Sequence, residues 1–263
     1  MNLLQGVILG IVQGITEFLP VSSSGHLVLF EKIFGLNEPT VMFDVVLHLG
    51  TLVPVLIIFW GKISSLLKKP FQKYSWLIIL ATIPAVVVAL LFGDWLESLF
   101  EQANFLWLAF ILTGVILLIG DRNFSENGKE DKDILFKDAL IIGLMQALAI
   151  VPGISRSGST IGASLVCGLK KETASRFAFI LSVPVIIGAI VFELKKVLLG
   201  EVNFNFDWQV IFFGFVSAML SGYLAIKFMI KLINDRKLKF FAYYVFVLGV
   251  LILADKIVFG LYF

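Results

Sequence analysis

The sequence is poor in three features, and each scarcity excludes a class of protein. Cys167 is the only cysteine among 263 residues, so the chain forms no internal disulfide and supplies no thiolate cluster for a metal. Charged residues make up only 15% of the chain, which is too little polar surface for a soluble domain of this size. The net charge of +2 lacks the basic surplus of a nucleic-acid-binding protein, so we expect no nucleic-acid partner.

Long apolar runs take the place of the missing charges. Hydrophobic residues account for 59% of the sequence, and their runs do not alternate at the period of two that strands show. Hydrocarbon offers no partners to backbone polar groups, so such a chain crosses a bilayer as helices. The N-terminus shows no basic segment and no small-residue cleavage site, so we expect no removable signal peptide. We predict an all-α integral membrane protein with a single membrane domain, residues 1–263.

Six stretches are long and apolar enough to be transmembrane helices. They cover residues 40–60, 76–93, 104–120, 174–193, 208–226 and 240–260. Lysines fill the loop after the first stretch and acidic residues fill the next loop, and basic loops stay cytoplasmic. This charge pattern predicts a solvated cytoplasmic connector, residues 121–137, between two halves at about 1–120 and 138–263.

Two other apolar regions, residues 2–36 and 138–169, are interrupted by Pro, Ser and Gly. The interruptions resemble each other, with QGITEFLPVSSSGH at 13–26 and QALAIVPGISRSGST at 146–160. A single crossing would leave backbone groups unpaired in lipid, whereas a hairpin that enters and returns can face a polar cavity. Charge places the two hairpins on opposite sides. We therefore predict six transmembrane helices plus two re-entrant helical hairpins in an inverted-topology repeat, with the hairpin tips meeting near the midplane.

The first interruption carries groups that a bilayer tolerates only for a function. Gln13 and Glu17 are four residues apart and share one helical face. His26 lies three residues after Ser23, and a serine beside an imidazole is the minimal activated nucleophile, with Glu17 orienting the imidazole or holding a metal. Backbone N–H groups at a helix start also favour anions, and three hydroxyl residues begin the returning helix here: Ser22, Ser23 and Ser24.

Arg156 occupies the corresponding place in the second interruption. An arginine at that depth needs an anion, and its planar fork matches phosphate oxygens. A salt bridge to Glu17 across the two tips is the structural alternative, and it is compatible with anion binding. Further donors surround the arginine at Ser155, Ser157 and Thr160.

Asp44 and His48 form one more pair with helical spacing. Such a pair can bind a metal or move protons, but near the end of a transmembrane stretch it more often lies at headgroup level. We interpret Asp44 and His48 in that second way.

Taken together, a carboxylate, an imidazole, a guanidinium and several hydroxyls suit a phosphoester or a diphosphate. The surrounding helices are apolar, so the rest of the substrate is expected to be a lipid. Charge on the transferring phosphoryl group would be stabilised by Arg156, by hydroxyls and by a divalent cation held by Glu17.

Two motifs resemble the signatures of the undecaprenyl pyrophosphate phosphatases, also called bacitracin-resistance proteins. Gln13-x-x-x-Glu17 with Pro20-Val21-Ser22-Ser23-Ser24-Gly25-His26 is similar to the first signature, and Pro152-Gly153-Ile154-Ser155-Arg156-Ser157-Gly158 is similar to the second. The resemblance implies a hydrolase acting on a phosphoric anhydride. Such an enzyme recycles the lipid carrier for peptidoglycan and other envelope polymers from an outward-facing site in the bacterial cell membrane, with Mg²⁺ or Ca²⁺.

The resemblance also implies roles for particular residues. The functional residues fall on Glu17, Ser23, His26 and Arg156, with support from Gln13, Ser155 and Thr160. Glu often stands in the family where this chain has Gln13, which leaves Glu17 as the one carboxylate for a metal.

Several points stay open at the level of sequence. Ser23 attacks phosphorus with His26 as base, or His26 is the nucleophile, or water attacks directly. A lipid flippase or secondary transporter is the rival function, because inverted repeats with broken helices also build transporters. The sequence is compatible with a homodimer but does not determine the oligomeric state.

Overall fold

The structure is a computed structural model that describes residues 1–36, 41–102, 104–123, 125, 127–198, 207–234 and 238–263. These residues form helices and no β-sheet, which confirms the predicted all-α class. The α-helices are α1 (Leu3–Phe18), α2 (Ser23–Ile33), α3 (Val41–Ile58), α4 (Trp60–Lys68), α5 (Lys73–Gln102), α6 (Leu106–Arg122), α7 (Phe136–Leu148), α8 (Arg156–Val166), α9 (Lys171–Leu198), α10 (Trp208–Asn234) and α11 (Leu238–Ala254).

Among the described residues, four helical segments are long and apolar enough to cross a membrane, as expected for a multi-pass membrane protein. They are Lys73–Gly93, Lys171–Phe192, Trp208–Leu232 and Leu238–Phe259. A fifth crossing arises if the pair Met42–Ile58 and Trp60–Lys68, bent by 84°, counts as one. The remaining predicted stretch, residues 104–120, falls on the 17-residue helix α6.

Some helices extend beyond the predicted stretches. The acidic segment after residue 93 was expected to be a loop, but α5 continues to Gln102, with non-helical dihedral angles at Phe92. The prediction of a loop was wrong there because charge alone does not end a helix. Residue 40, at the start of the first predicted stretch, lies outside the described residues.

Each interrupted region folds as two short helices, α1 with α2 and α7 with α8. The first helix of each pair packs closely on a long helix through a glycine. A Cβ at Gly14 of α1 would lie 2.5 Å from the carbonyl oxygen of Ala218 in α10. A Cβ at Gly143 of α7 would lie 2.6 Å from the carbonyl oxygen of Ala81 in α5. Backbone therefore packs directly on backbone at both places, which places the two breaks among the longer helices.

Aromatic side chains fill the space behind the breaks. Phe18 and Phe179 are fully buried and meet edge to face, with ring centroids 5.9 Å apart. Phe110 of α6 is also fully buried. Large apolar side chains on α5 and α11 are exposed instead, as expected of surfaces that face lipid.

The connector between the halves, predicted to be a solvated loop, is held to the helices by ion pairs, backbone hydrogen bonds and a buried side chain. Asp131 pairs with Lys62 at 2.8 Å and with Arg176 at 3.1 Å, and the side chain of Ile134 is fully buried. Backbone hydrogen bonds join Lys129 to the segment after α8, since the Lys129 N–H donates to the Gly168 carbonyl at 2.7 Å. Residues 124 and 126 of the predicted connector lie outside the described residues.

Candidate active site

The first break, residues 19–22, separates α1 from α2. Leu19 is extended, with φ −72° and ψ 144°, because a residue before proline avoids the helical region. Ser22 has a positive φ of 72°, a conformation that costs energy for a non-glycine residue and clusters at functional sites. Its hydroxyl accepts a hydrogen bond from the Gly25 N–H at 3.2 Å and so caps α2.

The second break, residues 149–155, separates α7 from α8 and is built in a similar way. Gly153 takes the left-handed turn, with φ 86°, and Ser155 caps α8 by accepting from the Gly158 N–H at 3.0 Å. Thr113 of α6 holds this second break through two hydrogen bonds. Its hydroxyl accepts from the Ser155 N–H at 3.0 Å and donates to the Gly153 carbonyl at 3.2 Å.

The two breaks are in direct contact. The Gly153 N–H donates to the Ser24 hydroxyl at 3.3 Å, and the Ser157 hydroxyl donates to the Leu19 carbonyl at 3.0 Å. A Cβ at Gly25 would lie 3.0 Å from the Cα of Gly153. The first turn of each returning helix therefore supplies a serine to the break of the other hairpin, and the predicted contact between the two hairpin tips is confirmed.

Glu17 is the residue on which the two hairpins converge. The Arg156 guanidinium forms an ion pair with its Oε1, as the sequence predicted for a bridge across the tips. The Ser23 hydroxyl donates to Oε2 at 2.6 Å, and the Gln13 amide donates to the same oxygen at 3.1 Å. The Glu17 side chain is only 3% exposed, so a buried carboxylate is held by a cation and two neutral donors.

Ser23 and Arg156 occupy equivalent positions in the two hairpins. Each is the first residue of its helix, directly after the capping serine. The Pro-x-x-Ser pattern in the sequence instead matches Ser23 with Ser155, which is displaced by one residue from the structural match. The reason is the spacing from proline to cap, which is one residue longer in the second break.

His26 does not contact Ser23 as predicted. Its Nδ1 lies 2.7 Å from the Ser22 carbonyl oxygen, and its Nε2 lies 2.7 Å from the hydroxyl of Tyr244. Both ring nitrogens are therefore engaged, while the Ser23 hydroxyl is bonded to Glu17. The predicted serine–imidazole pair is wrong for this arrangement, because the carboxylate and not the ring lies within hydrogen-bond distance of the hydroxyl.

The predicted phosphate-binding hydroxyls divide into two groups. Ser23 and Ser24 are partly exposed, as is Arg156. The other hydroxyls are buried and bonded to protein groups. Ser157 donates to Leu19, and Thr160 donates to the Arg156 carbonyl at 2.9 Å. Ser22 and Ser155 are the helix caps described above. The buried hydroxyls hold the loops, and the partly exposed groups are available to a ligand.

Sequence reasoning undervalued His48 and missed Tyr244. His48 Nε2 lies 3.9 Å from Glu17 Oε2, so His48 borders the site, although the sequence alone did not favour a functional role for it. The spacing of Asp44 and His48 matches that of Gln13 and Glu17, which was the available signal. Tyr244 is 218 positions from His26, and no local pattern connects them.

The residues around Glu17 fit a hard cation only together with phosphate oxygens. No cluster of three or more His, Cys, Asp or Glu side chains that could hold a metal occurs in the described part of the chain. Gln13 Oε1 is buried and without a hydrogen-bond partner, so it and Glu17 offer two oxygen ligands. Mg²⁺ commonly binds one or two protein carboxylates and completes its shell with water and substrate phosphates.

Comparisons with known proteins agree along nearly the whole chain. A family model described as bacitracin resistance protein BacA matches residues 6–251. A protein named undecaprenyl-diphosphatase from Carboxydothermus hydrogenoformans is 48% identical, covering 96% of this chain and 97% of the relative. Proteins of the same name from Halothermothrix orenii and Methanobrevibacter smithii are 42% and 41% identical, covering 96% and 98% of this chain and 98% and 99% of the relatives.

Proposed function

This chain belongs to the bacitracin resistance protein BacA family, and we propose that it is an undecaprenyl-diphosphatase. It hydrolyses undecaprenyl diphosphate to undecaprenyl phosphate and inorganic phosphate, which recycles the lipid carrier for peptidoglycan and other envelope polymers. The observation that carries this assignment inside the molecule is Glu17, which joins Arg156 of one hairpin to Ser23 of the other. That arrangement places an anion-binding group beside a hydroxyl nucleophile.

We propose that the chain crosses the bacterial cell membrane six times, with two re-entrant hairpins and two inverted halves joined by residues 121–137. The similar caps of α2 and α8 support a repeat, and so do the serines exchanged between the breaks. The lysines between α3 and α5 support a cytoplasmic position for that loop. With that orientation, the first hairpin enters from outside and the site opens to the outer face.

Substrate binding begins at Arg156. Its guanidinium forks onto the terminal phosphate of the lipid diphosphate, in place of the Glu17 oxygen to which it is paired. The backbone N–H groups at the starts of α2 and α8 add further positive potential. Glu17 is then free to act as a base.

Ser23 attacks the terminal phosphorus while Glu17 takes its proton, since the hydroxyl already donates to the carboxylate at 2.6 Å. The bond from phosphorus to the bridging oxygen breaks, and undecaprenyl phosphate leaves as a dianion. Water then attacks the phosphoserine, and the phosphorus–Ser23 bond breaks. Glu17 returns its proton to the serine oxygen, and His26 accepts the proton that the water loses.

Two oxygen atoms would hold a divalent cation in this site, from Glu17 and from the unpaired amide oxygen of Gln13. When bound, the cation would neutralise charge that develops on the transferred phosphoryl group. Arg156 supplies the same kind of stabilisation from the opposite hairpin.

The direct test is phosphate release from undecaprenyl diphosphate by the purified protein in detergent, with magnesium and with a chelator. We expect phosphate release that depends on the metal. Ser23→Ala should lower its rate by about three orders of magnitude or more, as expected for loss of a covalent nucleophile. A substantial remainder in Ser23→Ala would favour His26 or water as the nucleophile. No release from folded wild-type protein would contradict the phosphatase and favour lipid transport, which is then measured as lipid movement across vesicles.

A further inference from the structure

The side chain of His26 is held at both ring nitrogens and lies against two aromatic rings. Its Nδ1 meets the Ser22 carbonyl and its Nε2 meets the Tyr244 hydroxyl, each at 2.7 Å. The Tyr244 ring stacks nearly parallel to the imidazole, at 10° and 5.7 Å between centroids. Phe110 meets the ring edge at 88° and 5.4 Å. The imidazole therefore has little freedom to rotate.

The hydrogen bond at Nδ1 determines the tautomer. A carbonyl oxygen only accepts, so the proton of the neutral ring is on Nδ1 and the lone pair is on Nε2. The Tyr244 hydroxyl consequently donates to Nε2. A phenol hydroxyl can also accept, so the Tyr244 oxygen can take the proton that water loses while its own proton passes to Nε2. The same oxygen then accepts from Nε2–H, without movement of either ring.

Tyr244 reaches the Nε2 atom of His26 from a helix outside both hairpins. It lies on α11, which is distant in sequence from both hairpins, and its side chain is half exposed whereas His26 is buried. The hydroxyl is therefore bonded to a buried imidazole, although the side chain that carries it is half exposed. Because Nδ1 is bonded to a carbonyl, Nε2 is the nitrogen that gains a proton in the proposed mechanism, and it gains that proton through the Tyr244 hydroxyl.

We propose that the hydroxyl and ring of Tyr244 fix the orientation and tautomer of His26, and that the hydroxyl passes the proton of the attacking water to Nε2 during hydrolysis. This inference rests on the proposed phosphatase function. It assigns to α11 a part in the reaction that neither sequence motif contains.

The first test is Tyr244→Phe, which removes the hydroxyl and keeps the stacked ring. We expect kcat to fall about tenfold, the effect of one hydrogen bond, with KM for undecaprenyl diphosphate nearly unchanged. Tyr243→Phe is the matched control, since Tyr243 is the exposed neighbour on the same helix, and it should retain wild-type kcat. In a His26→Ala background, Tyr244→Phe should cause no further loss, because the positioned group is gone.

A second measurement reports on the imidazole ring of His26 through its nitrogen signals. The chain has two histidines, so ¹⁵N-histidine labelling with a His48→Gln variant isolates the signals of His26. We expect a protonated Nδ1 and an unprotonated, hydrogen-bonded Nε2 in the wild type. In Tyr244→Phe, the Nε2 signal should move downfield towards that of a free imidazole nitrogen, and in Tyr243→Phe it should not move.

The outcomes separate this inference from the proposed function. Unchanged kcat and unchanged His26 signals in Tyr244→Phe would overturn the positioning role. A loss of kcat with unchanged His26 signals would also overturn it and indicate a direct contact of Tyr244 with substrate. Absence of phosphatase activity in the wild type would contradict the proposed function, whereas the nitrogen signals would still report whether Tyr244 holds His26.

Discussion

The two hairpins use one backbone arrangement for two kinds of chemistry. In both, a helix ends, a residue with positive φ turns the chain, and a serine caps the returning helix by accepting from the N–H three residues later. The residue with positive φ is the cap itself, Ser22, in the first hairpin and Gly153 in the second. The first residue after the cap then contacts Glu17. In the first hairpin that residue is Ser23, and in the second it is Arg156.

Because these two residues differ, the two hairpins contribute different chemical groups to the site. The first hairpin contributes the carboxylate, the hydroxyl and the imidazole, and in the proposed mechanism these groups handle protons and the covalent step. The second hairpin contributes the guanidinium, which carries a fixed charge and binds an anion. Neither hairpin can form the site alone, because the buried charge of Glu17 needs the cation of the other hairpin.

Of the three variant comparisons that follow, the largest effect should come from replacing the guanidinium of Arg156 with a lysine ammonium. Arg156→Lys keeps the positive charge but loses the planar fork, so we expect kcat/KM to fall about a hundredfold, as for loss of one transition-state donor. Phosphate release from undecaprenyl diphosphate measures the change.

Arg176→Lys is the matched control, because Arg176 pairs with Asp131 in the connector and should tolerate lysine. If Arg156→Lys retained wild-type kcat/KM, two-pronged binding of phosphate by this hairpin would be excluded.

An intermediate effect should distinguish the two caps. Ser155→Ala removes a cap from a residue with ordinary backbone angles, and we expect it to lower the free energy of unfolding by about 1 kcal/mol. Ser22→Gly also removes a cap, but glycine relieves the positive φ of 72°. Its cost should therefore be smaller. Thermal unfolding in detergent compares the two variants, and a larger loss for Ser22→Gly would contradict a strained first break.

The smallest effect should come from the connector that joins the halves. Lys170 donates to Glu130 at 2.7 Å, and this hydrogen bond and charge lower the pKa of Glu130 and raise the pKa of Lys170. The pair therefore stabilises the fold between the two titrations. The contribution is lost as pH falls through the lowered carboxyl pKa, and again as pH rises through the raised lysine pKa.

Both groups are exposed, so Glu130→Gln should lower the unfolding temperature only slightly at pH 7, within the range of surface ion pairs. The difference from wild type should shrink in acid. A difference that grew in acid would contradict this assignment of the pair.

The helical class and the meeting of the breaks were predictable, because apolar length and misplaced polar residues are local properties of the sequence. Glu17 and Arg156 were identified for that reason. Proline is a poor reference for aligning the two hairpins, because the spacing from proline to cap differs by one residue between them. The Ser-x-x-Gly pattern at Ser22–Gly25 and Ser155–Gly158, which marks the caps, would have given the correct alignment.

Other parts of the site depend on packing between distant helices. The Ser23 hydroxyl bonds to Glu17 and not to His26 because α1 and α2 meet at the first break, and helical spacing alone does not specify that contact. Tyr244 comes from α11 and Thr113 from α6, and each reaches a break through tertiary packing. His48 was visible as half of a spaced pair, but its distance to Glu17 was not.

The most direct test of the account is a double-mutant cycle on phosphate release with Glu17→Gln, Arg156→Lys and the double variant. If Glu17 and Arg156 act as one unit across the two breaks, the double variant should be about as active as the poorer single variant. Losses that multiply, so that the double variant falls to the product of the two single effects, would contradict a site shared by the two hairpins.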